Sequence, residues 1–335
     1  MLNLLCRTGR IAALCLLALC LCGQARAAGQ SLRIGVLQFG TVNWEVDVIH
    51  EHGLDKAHGV TAEAIALGNK NAASIALQGG EVDLIVSDWI WVSRQRAQGR
   101  DYVFYPFSNA VGGMVARPDS GISTLADLRG KRIGVAGGPT DKSWLLYRAW
   151  LIRNAGFDPA DSADVRFAAP PLLNQLISRG ELDAVITFWK FRAKLLAAGM
   201  QPLPAIPQIL SDFGIDDDVP LLGWVFDGDK AGNRQALING FLQASQEAKA
   251  IMQTRDAEWE RLRGRVKPAN DAELISIRDS YREGIPGPLS PANEAAARQV
   301  FAILAETGGK ALTGDSDTLA DGVFWDSFSA DENAR

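Results

Sequence analysis

Short, continuous apolar segments alternate along the chain with longer segments in which apolar residues recur every three to four positions. The short segments predict buried β-strands and the longer ones predict α-helices. In the first two hundred residues the helical segments are residues 44–54, 72–78, 142–155 and 172–178. This alternation is typical of an α/β protein in which helices cover both faces of a parallel sheet.

An internal repeat divides this pattern into two similar halves. The tetrad RIGV occurs at residues 33–36 and again at residues 132–135. Each copy is followed by a second apolar strand, which reads GEVDLIV at residues 80–86 and GELDAVI at residues 180–186. The arginine of the tetrad precedes the glutamate of the second strand by 48 residues in the first copy and by 49 residues in the second. The repeat therefore predicts two lobes of the same architecture.

The first thirty residues have the order of a secretory signal peptide. Arg7 and Arg10 precede an apolar run at residues 11–22, and the small-residue triplet Ala25-Arg26-Ala27 follows. A membrane-spanning helix needs about twenty apolar residues, and this run is shorter. We expect cleavage after Ala27. All four cysteines precede that point, so the mature chain would hold no disulfide, cysteine nucleophile or cysteine metal site.

The chain is predicted to cross between the lobes twice. Strands at residues 102–107 and 114–117 flank a Gly-Gly pair, and a return strand is predicted at residues 221–226. The helices predicted beyond it are residues 234–254, 257–264, 271–281 and 291–307. The predicted organisation is a signal peptide of residues 1–27, a first lobe of residues 28–112 plus 224–335, and a second lobe of residues 113–223.

Net charge limits the classes of partner. The full chain carries −5 at pH 7, and loss of the three leader arginines leaves −8. This balance argues against nucleic acid or an acidic membrane surface as partner. With 47% apolar residues the chain can fill one or two cores of ordinary size.

Candidate ligand-binding residues follow the repeated strands, because ligands of open parallel sheets bind outside the carboxyl ends of the strands. Trp89 and Trp189 each stand eight residues after the repeated glutamate, and four of the nine tryptophans occupy matched strand ends. A single tryptophan is more often a core residue, and we expect Trp144 on the core side of its helix. The predicted binding set is Gly40, Thr41, Asn43, Trp44, Asp88, Trp89, Thr140, Asp141, Lys142, Trp189 and Trp224.

The charge of the ligand stays open at this level. The glycine-rich turn at residues 137–140 precedes a helix and, with Lys142, suits an anion. Asp88, Asp141 and Glu45 could equally hold a cation beside tryptophan rings. No catalytic residue, metal site or cofactor is predicted.

Two longer segments carry a family resemblance. Residues 122–135 read ISTLADLRGKRIGV and residues 178–189 read SRGELDAVITFW. Together with the leader, they resemble the nitrate/sulfonate/taurine group of ABC-transporter solute-binding proteins over residues 32–224. The resemblance implies a type II periplasmic-binding-protein fold, with two doubly wound lobes and a ligand cleft between them. It also implies a periplasmic monomer that binds a small organic solute and delivers it to an ABC permease of the inner membrane.

Two departures from that group bear on the solute. Many relatives follow the second-lobe tryptophan with Asp-Pro, whereas residues 189–191 here read WKF. Sulfonate binders tend to carry small hydroxyl residues at the first-lobe turn, whereas residues 87–91 here read SDWIW. These bulkier turns favour a larger organic solute with an apolar or aromatic portion over taurine or nitrate.

Two other uses of the same fold remain as alternatives. A sensory protein would bind its ligand in the same way and dock on a receptor. The pyrimidine synthase of thiamine biosynthesis also has this fold, but it depends on cysteines and on an active-site histidine with iron. Here His50, His52 and His58 cluster around the first helix, away from the predicted strand ends. We therefore expect no enzyme activity.

Overall fold

The computed structural model describes residues 31–38 and 40–328. The predicted signal peptide and its four cysteines lie outside the described residues. The strands are β1 Ser31–Leu37, β2 Thr61–Leu67, β3 Leu84–Ser87, β4 Tyr102–Ser108, β5 Gly113–Ala116, β6 Arg132–Val135, β7 Asp164–Phe167, β8 Ala184–Thr187, β9 Gln201–Pro202 and β10 Leu222–Asp227.

Helices follow most of these strands, as the apolar periodicity predicts. The helices are α1 Val42–Glu51, α2 Leu54–Ala57, α3 Lys70–Gly79, α4 Trp89–Arg96, α5 Lys142–Ala155, α6 Pro159–Ser162, α7 Pro170–Ser178, α8 Trp189–Ala197, α9 Ile206–Ser211, α10 Gly228–Gly232, α11 Gln235–Thr254, α12 Asp256–Arg261, α13 Arg263–Val266, α14 Asp271–Glu283 and α15 Pro291–Thr313. A 3₁₀ turn spans Leu125–Leu128.

The strands form two five-stranded sheets, in the orders β2-β1-β3-β10-β4 and β7-β6-β8-β5-β9. By its contacts the chain divides into two compact units. The first unit contains the described residues up to Leu84 together with Gly232–Ala248. The second unit contains Ile85–Ala231 and the described residues from Lys249 onward. The predicted lobe boundaries near residues 112 and 224 stay a prediction.

Parallel pairing in each unit starts from the repeated tetrad. In the first unit β1 pairs in parallel with β2. In the second unit β6 pairs in parallel with both β7 and β8, and β5 runs antiparallel to β8 and β9. Strands β4 and β10 of the second unit are also antiparallel to each other. Strands therefore occur at the three predicted positions, and their role as crossings between two lobes stays a prediction.

In each copy of the repeat, the arginine of the tetrad is hydrogen-bonded to the aspartate of the second segment, an ion pair that we call the arginine–aspartate clasp. In the first unit the Arg33 backbone N–H donates to Asp83 Oδ2 at 2.8 Å, and Arg33 Nη2 donates to Oδ1 at 3.1 Å. In the second unit Arg132 donates to Asp183 in the same two ways, at 3.0 and 2.6 Å. Each clasp ties the start of one strand to the segment that enters a neighbouring strand of the same sheet.

The glycine of the second tetrad has a packing role. A Cβ atom at Gly134 would lie 2.7 Å from side-chain carbons of both Leu173 and Leu182. These two leucines belong to a fully buried cluster that also holds Ile177 and Val185. A larger residue at position 134 would therefore displace the helix that covers this sheet.

Strands β2 and β7 are missing from the sequence-based prediction. Both lie at the edge of a sheet, and most of their residues are exposed. Strand β2 reads TAEAIAL and is rich in alanine, which is disfavoured in strands, and β7 reads DVRF and is only four residues long, so the apolar signal of each is weak. The predicted helix at residues 257–264 also differs, because the structure forms two short helices, α12 and α13, in that region.

Candidate functional site

The predicted binding residues that follow β1 form a tight turn in the first unit. Asn43 Nδ2 donates to the carbonyls of Leu37 at 2.7 Å and of Gly40 at 2.9 Å. Thr41 occupies the N-cap position of α1, and Trp44 is buried in the core. The Asn43 amide therefore holds the turn itself together.

Asp88 and Lys142 form an ion pair in the second unit. Lys142 Nζ donates to Asp88 Oδ2 at 2.9 Å, and the side chains are 16% and 19% exposed. The other carboxylate oxygen, Oδ1, caps α4 by accepting the Trp91 backbone N–H. Burial opposes the charge of Lys142, but Asp88 and then Asp141 outweigh it and raise the pKa of Lys142. The two charges neutralise each other.

The glycine-rich turn before α5 is held by its own polar residue. Asp141 Oδ1 caps α5 by accepting the Trp144 backbone N–H at 3.1 Å. Gly137 and Gly138 both have φ of +84°, a conformation that favours glycine. Thr140 is exposed. Asp88, Asp141 and Lys142 thus each have a defined structural contact.

The tryptophans differ in burial. Trp89 is fully buried with its ring against Phe301, and Trp224 is fully buried with its ring against Phe107. Trp144 is also buried, as its position on α5 predicts. Trp189 alone among the predicted tryptophans is partly exposed within the described residues.

Trp189 lines a cavity of about 220 Å³ within the second unit. The walls come from the segment between β4 and β5, the first turn of α8, helix α9, residues 215–221 and the end of α14. Apolar side chains, among them Ile206 and Leu210, form one part of the lining. The Trp189 ring also contacts Tyr281 of α14, with ring centroids 6.1 Å apart.

Arg192 brings a positive charge to the same cavity. It lies three residues after Trp189 on α8, and residues at this spacing share one helix face. Its Nε atom is buried without a hydrogen-bond partner. Across residues 31–38 and 40–328, no hydrogen bond or ion pair involves the Arg192 guanidinium.

Glycine makes room for this arginine. A Cβ atom at Gly113 would lie 3.2 Å from Arg192 Nε and 3.5 Å from the Tyr147 hydroxyl. That hydroxyl donates to the Pro204 carbonyl at 2.6 Å and accepts the Met114 N–H at 3.2 Å. Burial raises the pKa of Tyr147 to about 12, so the phenol stays neutral. Tyr147 therefore braces the wall beside Arg192 without supplying a negative charge.

Asn109 contributes a second polar atom without a partner. Its backbone N–H donates to the Gly284 carbonyl at 2.8 Å, which fixes the segment at the cavity wall. Its side-chain Oδ1 is buried and accepts no hydrogen bond from the part of the chain that the structure describes. Exposed carboxylates of Asp217, Asp218 and Glu283 also line the cavity.

Sequence reasoning missed both Arg192 and Asn109, although weak signals pointed to them. Arg192 follows the predicted Trp189 at helical spacing, and Asn109 shortly precedes the Gly112-Gly113 pair at the predicted crossing. Neither signal shows that a side chain lacks a partner.

Among the helices of residues 31–38 and 40–328, none combines the length and apolar character needed to cross a bilayer. The same residues contain no cluster of three histidine, cysteine, aspartate or glutamate side chains suited to a metal ion. The expectation that the protein binds no metal stays a prediction. His50 contacts the Ala62 carbonyl and His58 contacts Glu247.

The chain belongs to the NMT1/THI5-like family, whose sequence profile matches residues 48–258. No curated protein matches the sequence. Among solved structures it is similar to the periplasmic aliphatic sulphonate binding protein SsuA from Escherichia coli, with 19% identity and a TM-score of 0.69 over 88% of this chain and 92% of that one.

Two further structures show the same fold. The alkanesulfonate-binding protein SsuA from Xanthomonas axonopodis pv. citri, bound to MOPS, is 17% identical with a TM-score of 0.65, over 88% of this chain and 98% of that one. The periplasmic nitrate-binding protein NrtA from Synechocystis PCC 6803 is 13% identical with a TM-score of 0.53, over 75% and 69% of the two chains. The type II periplasmic-binding-protein fold expected from the sequence is confirmed.

Proposed function

We propose that the protein is a periplasmic solute-binding protein that captures a small organic solute and delivers it to an ABC permease. The observation that carries this proposal is the cavity of the second unit, where Arg192 and Asn109 present polar atoms without protein partners. Buried polar atoms are nearly always hydrogen-bonded in native proteins. A solute that supplies the missing partners would bind at this cavity.

The neighbours support a binding role, because those from Escherichia coli, Xanthomonas and Synechocystis are named as binding proteins. Periplasmic location rests on the signal peptide predicted at residues 1–27 and on these neighbours. We also propose that the protein is a monomer and that it does not bind nucleic acid. Within the predicted binding set Trp189 lines the cavity, and the role of the other ten residues in solute binding stays a prediction.

A thermal-shift screen of the purified protein tests this proposal. The panel contains sulfonates, carboxylates, amines, amino acids, aromatic acids and pyrimidines. A ligand at a hundred times its dissociation constant stabilises the folded state by about 2.7 kcal/mol. We expect one chemical class to raise the melting temperature, and Trp189→Ala to reduce that rise.

Trp150→Ala is the matched control, because Trp150 is also partly exposed and is absent from the cavity lining. The control should keep the ligand-induced rise of the wild type. If no class stabilises the protein, the proposed function is wrong. If both tryptophan variants respond as the wild type does, the solute binds elsewhere.

A further inference from the structure

We propose that Arg192 and Asn109 select the solute: its oxyanion binds Arg192, and an N–H or O–H donor on the same small skeleton binds Asn109. This inference rests on the proposed function and names the chemical class of its solute. It goes beyond the strand-end residues, because neither Arg192 nor Asn109 follows a repeated strand directly.

Arg192 is the unusual cation of this region. Arg117, Arg132 and Arg148 of the second unit all bind aspartates, at 3.5 Å or less. Arg192 has no such partner among the described residues, and its Nε is shielded from water. A guanidinium presents parallel N–H donors that match the paired oxygens of a carboxylate, sulfonate or phosphate. An oxyanion is therefore the group that this side chain suits best.

Asn109 requires the opposite kind of atom. Its buried Oδ1 is an acceptor, so only a donor can satisfy it. A buried acceptor left without a donor costs about 1 to 3 kcal/mol. A simple inorganic anion would satisfy Arg192 and leave Asn109 unsatisfied. A solute that carries both an oxyanion and a donor satisfies both residues of the same cavity.

The acidic side chains at the cavity sharpen this selection. Asp217, Asp218 and Glu283 are exposed, so water weakens their field but does not remove it. They disfavour a second negative charge on the solute and favour an amine as the donor. The apolar lining around Trp189 and Ile206 suits a carbon skeleton between the two polar ends.

Isothermal titration calorimetry with matched probes tests the inference. 4-Aminobenzoate and 5-aminopentanoate carry a carboxylate and a donor, and 4-aminobenzenesulfonate replaces the carboxylate by a sulfonate. Benzoate and pentanoate lack the donor, whereas aniline and pentylamine lack the anion. We expect at least one two-ended probe to bind, its anion-only partner to bind about 10-fold more weakly, and the amine-only probes to show no binding.

Variants assign the two ends of the solute. Arg192→Gln should weaken the best probe by about 100-fold, and Asn109→Ala by about 10-fold. Arg192→Lys should restore part of the affinity, because it keeps the charge and loses the fork. Arg179→Gln makes the same charge change at an exposed residue outside the cavity and should leave the affinity unchanged. The melting temperature of Arg192→Gln without probe should equal that of the wild type, because no protein partner is lost.

Each outcome separates this inference from the proposed function. If amines or neutral solutes bind and Arg192→Gln binds them equally well, the inference is wrong and the function stands. If the two-ended probes and their anion-only partners bind equally, the role of Asn109 is wrong. If neither these probes nor any class of the thermal-shift panel binds, the proposed function fails as well.

Discussion

The Arg33–Asp83 and Arg132–Asp183 clasps have the same geometry in two separate units, but the turns after the paired strands use their side chains differently. In each unit a second arginine also contacts the aspartate of the clasp. Arg234 donates to Asp83 at 2.9 Å in the first unit, and Arg117 lies 3.5 Å from Asp183 in the second. The repeated residues are therefore those that hold each sheet together.

The residues after the second strand of each copy correspond at a spacing of 100 residues, and they differ in their contacts. Asp88 caps α4 and pairs with Lys142, whereas its counterpart Phe188 forms no side-chain cap at α8. Trp89 and Val92 are fully buried, whereas Trp189 and Arg192 line the cavity. The two copies thus share the ion pairs beside their sheets and differ in the side chains at their strand ends.

The largest expected difference between the copies concerns the two tryptophans. Trp89→Ala should lower the free energy of unfolding by about 3 to 5 kcal/mol, because it empties a core position. Trp189→Ala should cost less than about 2 kcal/mol, because this ring is partly exposed and faces a cavity. Urea denaturation followed by circular dichroism measures both losses. Equal losses would show that Trp189 is a core residue like Trp89.

The ion pair found at only one of the two strand ends should give the next largest effect. Lys142→Met should cost about 2 to 3 kcal/mol, because it leaves Asp88 with a largely buried, uncompensated charge. Adding Asp88→Asn removes that charge and retains an acceptor for the α4 cap, so the double variant should be more stable than Lys142→Met. A double-mutant cycle measured by urea denaturation tests this order. If the double variant is the less stable one, the pair contributes no net electrostatic coupling.

The two clasps should both lose their contribution to stability at low pH. The hydrogen bonds from Arg132 lower the pKa of Asp183 to about 2. Burial opposes ionisation of Asp83, but the hydrogen bonds from Arg33 outweigh it and also lower the pKa of Asp83. A lowered folded-state pKa gives stability that is present above pH 4 and is lost as the pH falls toward 2.

Asp183→Asn should therefore remove at most about 2 kcal/mol of stability at pH 7 and flatten the stability profile between pH 4 and 2. Asp83→Asn should flatten it in the same direction. Urea denaturation at several pH values measures these slopes. An unchanged slope in Asp183→Asn would mean that other carboxylates dominate the acid response.

The smallest effect on stability is expected at Arg192, whose counterpart in the first copy is Val92. Arg192→Val should change the free energy of unfolding by no more than about 0.5 kcal/mol, because the arginine has no protein partner among the described residues. Val92→Ala, its control, should cost about 2 kcal/mol because Val92 is fully buried. A large loss in Arg192→Val would show that the guanidinium stabilises the wall of the cavity.

The fold class and most of the buried strands and helices can be predicted from the sequence alone. Apolar periodicity located β1, β6 and the helices after them, and the repeated RIGV tetrad indicated two related sheets. These features are local, because a buried strand or helix needs apolar residues at a set spacing wherever it lies. The edge strands β2 and β7 were not predicted, since one is rich in alanine and the other is only four residues long.

Which polar side chains have partners, and which aromatic side chains are buried, depends on the tertiary structure. Asp88 and Lys142 are 54 residues apart in the sequence, and nothing near either residue predicts that they pair. Trp89 and Trp189 have matched positions and different burial, because each depends on the helices packed against it. The lack of a partner for Arg192 likewise depends on every side chain within reach. Spacing along the chain sets secondary structure, whereas burial and pairing depend on distances between residues remote in sequence.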